Sequence, residues 1–255
     1  MKTPIIVIDP GHFGSKTNQS PVVSDYYESN MTWALAQYLK ASLEKYGFLV
    51  KLTRTKKDKN PSLYDRGMKS KGSDLFLSLH SDASSSEASD HVSVFHSFDN
   101  ANNSQELAKE LADTVASVMG VSSGKVKTKE SKTYPGTEHY GVLNGARKAK
   151  CPLYYIIEHS FHTNKKSALW LLEPSNLQKL AEAEALAIAR YFGMADIPGD
   201  VDGDGKLTQT DVEIIRLAVM GRIKLCDDLA KIADVNRDGK VDVKDYSIVK
   251  KAILQ

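Results

Sequence analysis

The chain has 255 residues, of which 41% are hydrophobic and 26% are charged, a composition typical of a soluble globular protein with a packed core. Lys and Arg total 34 against 32 for Asp and Glu, and this near balance excludes the strongly basic surface expected of a protein that binds nucleic acid. The two cysteines are too few for a disulfide framework, and no apolar run reaches the roughly 18 residues of a membrane span.

Short apolar runs alternate with helical patterns along the first 194 residues. The runs that predict strands are residues 5–8, 48–52, 75–79, 92–98 and 153–157. The predicted helices are residues 31–43, 61–66 after an Asn60-Pro61 start, 107–118, and 165–192 with a break near Pro174. Two further stretches, 84–89 and 122–137, predict surface loops. The alternation predicts an α/β fold with a mostly parallel twisted sheet flanked by helices.

A second unit contains an internal repeat. Residues 200–206, DVDGDGK, return as residues 234–240, DVNRDGK, 34 residues later, and an apolar helical stripe follows each copy. The pattern predicts a domain at 1–194, a linker at 195–199, and a module at 200–255. We expect this module to be a small all-α domain built from two EF-hand-like loop–helix repeats.

The repeat has the oxygen ligands that calcium requires. Calcium binds six to eight oxygen atoms in a flexible loop with a glycine at its sharp turn, and Gly205 and Gly239 occupy that position here. The predicted ligands are Asp200, Asp202, Asp204, Lys206 (through its carbonyl) and Asp211 in the first loop, with Thr208 at the ninth position, and Asp234, Asn236, Asp238, Lys240 (through its carbonyl) and Asp245 in the second, with Asp242 at the ninth. The alternative is a pair of solvated acidic turns, which would leave the matching offsets of the two copies unexplained.

The second unit resembles dockerin type I modules over residues 200–254. The resemblance lies in the aspartate at the twelfth loop position and in loop–helix units without a preceding helix. The resemblance implies a cohesin partner, contacted by the tenth and eleventh loop residues. These residues are Gln209-Thr210 and Val243-Lys244 instead of the usual Ser-Thr pair, so a cohesin-like or a self partner is expected. Because the carboxylates of the first loop repel one another, we also expect this module to need calcium to fold.

Polar side chains follow three of the predicted strands. The segments are Asp9-Pro10-Gly11-His12, His80-Ser81-Asp82 and Glu158-His159-Ser160-Phe161-His162. Ligands of open α/β sheets bind at the carboxyl ends of the strands, so these segments are expected to converge on one edge, which Glu28 would face from the start of a helix. A lone histidine is more often a surface or core residue than a ligand. Three strand ends that carry imidazoles or carboxylates and meet at one edge, however, predict a ligand-binding site.

The residue types at this edge indicate zinc chemistry. Two imidazoles and one carboxylate leave a tetrahedral zinc ion with an open position for water, which is typical of catalytic sites. Zinc lowers the pKa of that water to about 7, and a further carboxylate can remove its proton and then protonate a leaving amine. The residues themselves leave the choice open between Glu28 and Asp25, and between Glu158 and its neighbours His159 and His162.

The ordered motifs resemble zinc-dependent N-acetylmuramoyl-L-alanine amidases of the Amidase_3 type over residues 3–193. The motifs are IDPGH at 8–12, Glu28 followed by Asn30, SLHSD at 78–82 and IEHSFHTN at 157–164. The resemblance implies that His12, Glu28 and His80 bind zinc and that Glu158 is the catalytic carboxylate. Ser160 stands where the family commonly has glycine. Arg66 matches a family arginine, with a purely structural cation as the equal alternative.

The resemblance implies hydrolysis of peptidoglycan at the amide between N-acetylmuramic acid and L-alanine of the stem peptide. The apolar run before Asp9 is shorter than the core of a secretory signal, which predicts synthesis in the cytoplasm and action on the cell wall, as in a phage-type endolysin. The alternatives are a host clostridial autolysin docked through its dockerin-like module to a cohesin, a non-catalytic wall-binding protein, and a zinc peptidase or deacetylase with another substrate.

Overall fold

A six-stranded sheet forms the centre of the first unit in the computed structural model, which describes residues 3–204 and 206–254. The strands are β1 (Ile5–Pro10), β2 (Leu49–Leu52), β3 (Leu75–Asp82), β4 (Val92–His96), β5 (Gly124–Thr128) and β6 (Leu153–Phe161). Their order is β2-β1-β3-β6-β4-β5, and every neighbouring pair is parallel except β4 with β6. The predicted mostly parallel α/β sheet is confirmed.

The central strands β1, β3 and β6 are continuous apolar runs because helices cover both of their faces. Ile6, Ile8, Leu75, Leu77 and Ile157 are fully buried. The edge strand β2 instead alternates between exposed and half-buried residues. The burial therefore places the carboxyl ends of three adjacent, rigidly packed strands at one edge of the sheet.

Six α-helices accompany the sheet. They are α1 (Glu28–Lys45), α2 (Leu63–Met68), α3 (Gln105–Met119), α4 (Gly141–Lys148), α5 (Lys165–Leu172) and α6 (Pro174–Tyr191), with a one-turn 3-10 helix at Ala101–Asn103. Helix α1 packs on β1, β2 and β3, whereas α3 packs on β4, β5 and β6. Helix α3 ends where the sequence predicts, because Gly120 takes the left-handed conformation at φ +63°.

Three elements differ from the prediction. Helix α2 begins at Leu63 rather than Pro61, because the Ser62 side chain caps it by accepting a hydrogen bond from the Asp65 amide at 3.1 Å. The segment 122–137, expected to be a loop, contains β5, a lysine-rich edge strand that forms by pairing with β4. Helix α4 was not predicted either. It is too short to show a clear period, and its Val142, Leu143 and Ala146 pack into the core against β6.

The second unit is helical. Its helices are α7 (Gln209–Val219), α8 (Asp227–Ala233) and α9 (Val243–Ala252). Val201, Val212, Ile215, Ala233 and Val249 form its small core. The expectation of repeats without a preceding helix is wrong for the second copy, because α8 ends immediately before Asp234, with Ala233 buried in that core.

The pattern of internal contacts places the boundary between the two units at residues 188 and 189, which lie in the last turn of α6. The linker at 195–199 stays a prediction. Among the residues that the structure describes, no helix combines the length and the apolar character needed to cross a bilayer.

Candidate metal centre

Three neighbouring strands and one helix bring the predicted site residues to one edge of the sheet. His12 follows β1, His80 lies near the end of β3, and Glu158 lies in β6 directly opposite His80 in the pairing register. Glu28 is the first residue of α1 and approaches from outside the sheet. Because β1, β3 and β6 run parallel, their carboxyl ends converge, as the sequence predicts.

His12, Glu28 and His80 form a compact cluster. One ligand atom from each side chain lies within 4.8 Å of the other two. The carboxylate of Glu28 lies between the rings, 3.1 Å from His12 Nε2 and 3.0 Å from His80 Nδ1. Glu28 is 1% exposed, whereas the side chain of His12 is 34% exposed, so the cluster is open on one side. Two ring nitrogens and one carboxylate with an open side fit a catalytic zinc site.

The surroundings fix the orientation of His80. Ser78 Oγ lies 3.2 Å from Nε2, the ring nitrogen that faces away from Glu28. Gly11 packs against the ring on another side: a Cβ atom at this position would lie 2.5 Å from His80 Cε1 and 2.4 Å from the carbonyl oxygen of Leu79. Glycine is therefore required at position 11, and the ring of His80 has little freedom to turn.

Hydrogen bonds hold Glu28 in its ionised form. Burial alone would raise the pKa of Glu28, but hydrogen bonds with His12 and His80 outweigh it and hold the pKa well below the usual range. The Ser81 amide donates to Oε1 at 2.9 Å, and Asn18 Nδ2 donates to Oε2. A negative charge is thus maintained at the centre of the cluster, as a cation site requires.

Glu158 has a different environment. Its Oε2 atom is buried and has no hydrogen-bond partner among the described residues. Burial, and then the negative charges of Glu28 and Asp82, raise the pKa of Glu158 well above its usual value, with Lys127 acting in the opposite direction. A carboxyl group with a raised pKa can accept a proton and release it again near neutral pH.

The alternatives that the residues left open lie outside the cluster. Asp25 is exposed. His159 is fully buried, and its ring bonds to Glu184 and to the backbone of His80. His162 uses Nδ1 to contact Ser81 Oγ at 3.0 Å, and this nitrogen lies 3.9 Å from Glu28 Oε2. The structure thus brings together the residues that the family resemblance implied.

Arg66 has a structural environment. Its guanidinium donates to both carboxylate oxygens of Asp9, at 2.8 and 2.6 Å, and both side chains are buried. Thr53 Oγ1 and Ser78 Oγ also donate to Asp9. Asp9 is therefore saturated by hydrogen bonds beneath the sheet edge, and the structure favours the interpretation of Arg66 as a buried structural cation.

Several residues around the site were not predicted. Asn18 and Ser81 bond to Glu28, and Glu184 bonds to His159. Asn18 lies in a loop without any periodic signal. The sequence does carry a signal for Glu184, because helical spacing places it on the same face as Leu177 and Leu180, where a carboxylate is unexpected.

The first loop of the second unit gathers its acidic residues. Asp200, Asp202 and Asp204 each place a carboxylate oxygen within 4.8 Å of the other two. Asp211 is fully buried, and its carboxylate accepts hydrogen bonds from the amides of Val201 and Thr208, at 2.9 and 2.8 Å. Lys206, the seventh of the twelve loop residues, is exposed. The predicted turn at Gly205 lies outside the described residues.

The second loop repeats the hydrogen bonds of the buried aspartate at the twelfth position. Asp245 is fully buried and accepts hydrogen bonds from the amides of Asn236 and Asp242, at 3.2 and 2.9 Å. Asp234 accepts a hydrogen bond at 2.8 Å from the amide of Gly239, whose φ of +85° fits the predicted turn.

One lysine distinguishes the second loop from the first. Lys240, like Lys206 in the first loop, is exposed in the middle of its loop. Lys244 has no counterpart in the first loop: its Nζ lies 3.2 Å from Asp238 Oδ2. The hydrogen bond from Lys244 lowers the pKa of Asp238. One predicted calcium ligand is therefore already paired with a cation.

The fold and the site define the class of protein: an α/β protein with a His-Glu-His cluster and a half-buried glutamate at the carboxyl edge of its sheet. The family model described as N-acetylmuramoyl-L-alanine amidase matches residues 6–190, and the chain belongs to this family. A second family model, the dockerin type I domain, matches residues 198–254.

Curated relatives are cell wall amidases of staphylococci. The chain is 30% identical over 188 residues to the probable cell wall amidase LytH of Staphylococcus aureus, which covers 73% of this chain and 58% of the relative. It is 42% identical over 96 residues to the probable cell wall amidase LytH of Staphylococcus epidermidis, covering 37% of this chain and 32% of the relative. The chain thus spans between a third and three fifths of the relatives' length.

Solved structures share the fold of the first unit. The catalytic domain of CwlV, an N-acetylmuramoyl-L-alanine amidase from Bacillus (Paenibacillus) polymyxa, matches with a TM-score of 0.64 and 20% identity, over 76% of this chain and all of that domain. The catalytic domain of the CD27L endolysin, which targets Clostridia difficile, matches with a TM-score of 0.52 and 22% identity, over 72% of this chain and 97% of that one. At these identities the likeness shows the fold.

Proposed function

We propose that the first unit is a zinc-dependent amidase that hydrolyses the bond between the lactyl group of N-acetylmuramic acid and L-alanine of the peptidoglycan stem peptide. The observation that carries this proposal is the arrangement of His12, Glu28 and His80 in one cluster, with the half-buried acid Glu158 opposite His80 on the neighbouring strand. Membership of the amidase family supports the choice of substrate.

The residues have separate roles in this reaction. A zinc ion held by His12, Glu28 and His80 would supply Lewis-acid activation of the scissile carbonyl and of the attacking water. Glu158 accepts a proton from the water as the new C–O bond forms, and donates it to the alanine nitrogen as the C–N bond breaks. The products are a free lactyl carboxylate and a free alanine amine, and the transfer of the proton to nitrogen regenerates the carboxylate of Glu158.

The environment of Glu158 supports this role over a wall-binding protein without activity. A buried carboxylate oxygen without a hydrogen-bond partner, such as Glu158 Oε2, costs folding free energy, and such costs are concentrated at catalytic sites. A binding module would gain nothing from it. A zinc peptidase or deacetylase would use the same groups, and therefore the products must decide between these activities.

For the second unit, we propose that the two loops bind calcium through the carboxylates of Asp200, Asp202, Asp204 and Asp211 and their counterparts in the second copy. The dockerin match supports calcium binding and attachment to a cohesin-like module. The choice between a phage-type endolysin and a host autolysin attached to a scaffold stays a prediction, and capture by an immobilised cohesin would favour the second.

Digestion of purified peptidoglycan tests the proposed activity. We expect new alanine amino groups to appear without new reducing sugars or acetate, which separates an amidase from a glycosidase and a deacetylase. Glu158→Gln should keep the zinc content of wild type and lose activity, whereas His80→Ala should lose both. Asp25→Asn is the matched control, because this exposed carboxylate lies close to Glu28 in the chain but outside the cluster. Full activity of Glu158→Gln would contradict the proposal.

A further inference from the structure

His159 and Glu184 form a pair behind the metal cluster that the proposed mechanism does not use. Both side chains are fully buried, and His159 Nε2 lies 3.1 Å from Glu184 Oε1. The other ring nitrogen, Nδ1, lies 2.8 Å from the backbone carbonyl oxygen of His80. Because a carbonyl only accepts, Nδ1 is the donor. A buried side chain therefore joins helix α6 to the backbone of a predicted zinc ligand.

The contact lies where the pairing of β3 and β6 becomes irregular. The register is continuous up to His80 opposite Glu158 and then shifts, so that Asp82 is the next residue paired, with Phe161. Ser160 takes the left-handed conformation at φ +59° within this bulge. Backbone hydrogen bonds are disrupted at a bulge, and here a side chain provides the donor for the His80 carbonyl.

Glu158 and His159 are neighbours in β6 but lie on opposite faces of the sheet. Successive residues of a strand point to opposite faces, so His159 points away from the face that carries Glu158. On its face, His159 meets α6, which is otherwise apolar where it packs. The buried residues of this surface of α6 are Leu177, Leu180, Ala181, Ala185 and Ile188.

An apolar pair would serve packing at least as well as His159 and Glu184. Glu184 Oε2 is buried and has no hydrogen-bond partner among the described residues, which costs folding free energy. Replacing a buried polar pair by well-packed apolar residues is often neutral or stabilising. The presence of a polar pair at this position therefore indicates a role that requires a hydrogen-bond donor, namely the bond to the His80 carbonyl.

We propose that His159 and Glu184 are positioning residues for the metal centre. They hold the backbone carbonyl of His80 on the α6 side of the sheet. Ser78 and Gly11 contact the ring of His80, so that His80 Nδ1 stays directed at the cluster. Glu184 acts through His159 by holding its ring in the orientation that donates to His80. This inference rests on the proposed zinc site. Partners of this kind change metal affinity by about 10- to 100-fold when they are removed.

Zinc affinity measured by competition with a chromogenic chelator tests the proposal. His159→Leu removes the donor and should weaken zinc binding about 10- to 100-fold. His159→Asn keeps a donor close to the position of Nδ1 and should restore most of the affinity. Ser167→Ala is the matched control, because it removes a buried hydrogen bond between Ser160 and Ser167 without touching His80. This control should lower the melting temperature and leave the zinc affinity unchanged.

The outcomes separate this proposal from the proposed function. Wild type that binds zinc, together with a folded His159→Leu that binds it equally well, would overturn the positioning role alone. An Asn variant as weak as the Leu variant would also overturn it, because the donor would not matter. If His159→Leu does not fold, Glu184→Leu decides, and wild-type affinity in that variant would contradict the proposal. Wild type without zinc affinity would overturn both.

Discussion

Glu158 illustrates at the scale of one residue how a proposed catalytic role opposes stability. Burial and the nearby charges of Glu28 and Asp82 raise the pKa of Glu158 well above the value of an unfolded glutamate, about 4.3. The folded state therefore binds a proton more tightly than the unfolded state. As pH rises above the unfolded pKa, ionisation favours unfolding, and the metal-free protein loses stability.

A substitution at this residue tests the sign of the effect. With a zinc chelator and excess calcium present, Glu158→Gln should melt at a higher temperature than wild type at pH 8, because the amide does not ionise. The difference should shrink toward pH 4, where the glutamate is protonated in both states. Thermal melts of both proteins across this range provide the measurement. Identical melting temperatures of the two proteins at every pH would show that ionisation of Glu158 does not lower the stability of the folded state.

Arg66 shows the opposite case, a charge whose role is to support the fold. Arg66→Ala would leave the Asp9 carboxylate buried without its cation, and we expect a loss of about 3–5 kcal/mol in the free energy of unfolding. Lys40→Ala removes a partly exposed ion pair with Glu44 and should cost less than about 1 kcal/mol. Urea denaturation of the two variants makes the comparison. Losses of equal size would contradict the structural role of Arg66.

At the scale of elements, the strands that are buried on both faces follow the sequence most closely. The runs at 5–8, 75–79 and 153–157 lie within β1, β3 and β6, because a buried strand must be apolar throughout. Strand β5 and helices α4 and α8 do not show in the sequence. Each is short, and pairing or packing with distant residues stabilises it rather than its own periodicity.

The second loop of the repeat offers a prediction at the same scale. Lys244, at the start of α9, pairs with Asp238, and calcium must displace its ammonium group. Lys244→Gln should therefore increase the calcium affinity of the second loop, which we expect to be the weaker of the two sites in a calorimetric titration. Lys231→Gln is the control, because Lys231 forms a similar exposed pair with Asp228 in α8 and pairs with none of the predicted calcium ligands. An unchanged titration for Lys244→Gln would indicate that the pair does not compete with calcium.

At the scale of the whole molecule, the two units have cores of very different size. Among the described residues of the second unit, only a few apolar side chains are buried, and they include Val201, Ile215 and Val249. Domains this small commonly depend on bound metal for stability. The carboxylates of Asp200, Asp202 and Asp204 lie close together in the first loop, so removal of calcium should destabilise this unit while the large sheet of the first unit remains folded.

Selective chelation tests this independence in the intact chain. EGTA should lower the helical circular dichroism signal and abolish one of two melting transitions. Because EGTA also binds zinc, amidase activity is assayed on a soluble peptidoglycan fragment after the chelator has been removed by desalting and zinc alone has been restored, and this activity should persist. An Asp200→Ala, Asp234→Ala double variant should behave in calcium as wild type does in EGTA, which controls for other effects of the chelator. Circular dichroism that does not respond to EGTA would contradict the proposed role of calcium.

The sequence by itself determined the features that depend on local pattern. It determined the α/β class, because strand and helix periods alternate, and it exposed the repeat at 200–206 and 234–240, because matching offsets are visible in a linear chain. It also predicted that His12, His80 and Glu158 meet at one sheet edge, since residues that follow parallel strands share that edge. The choice of Glu28 over Asp25 required the resemblance to a family.

Only the tertiary structure decided what depends on residues far apart in the chain. It placed His80 opposite Glu158, paired Arg66 with Asp9, and turned His159 toward Glu184 rather than toward the cluster. A glutamate or histidine has the same letter whether it binds a metal or a buried partner. Its role is set by strand register, by the alternation of faces and by burial, and these arise only when the sheet and its helices pack together.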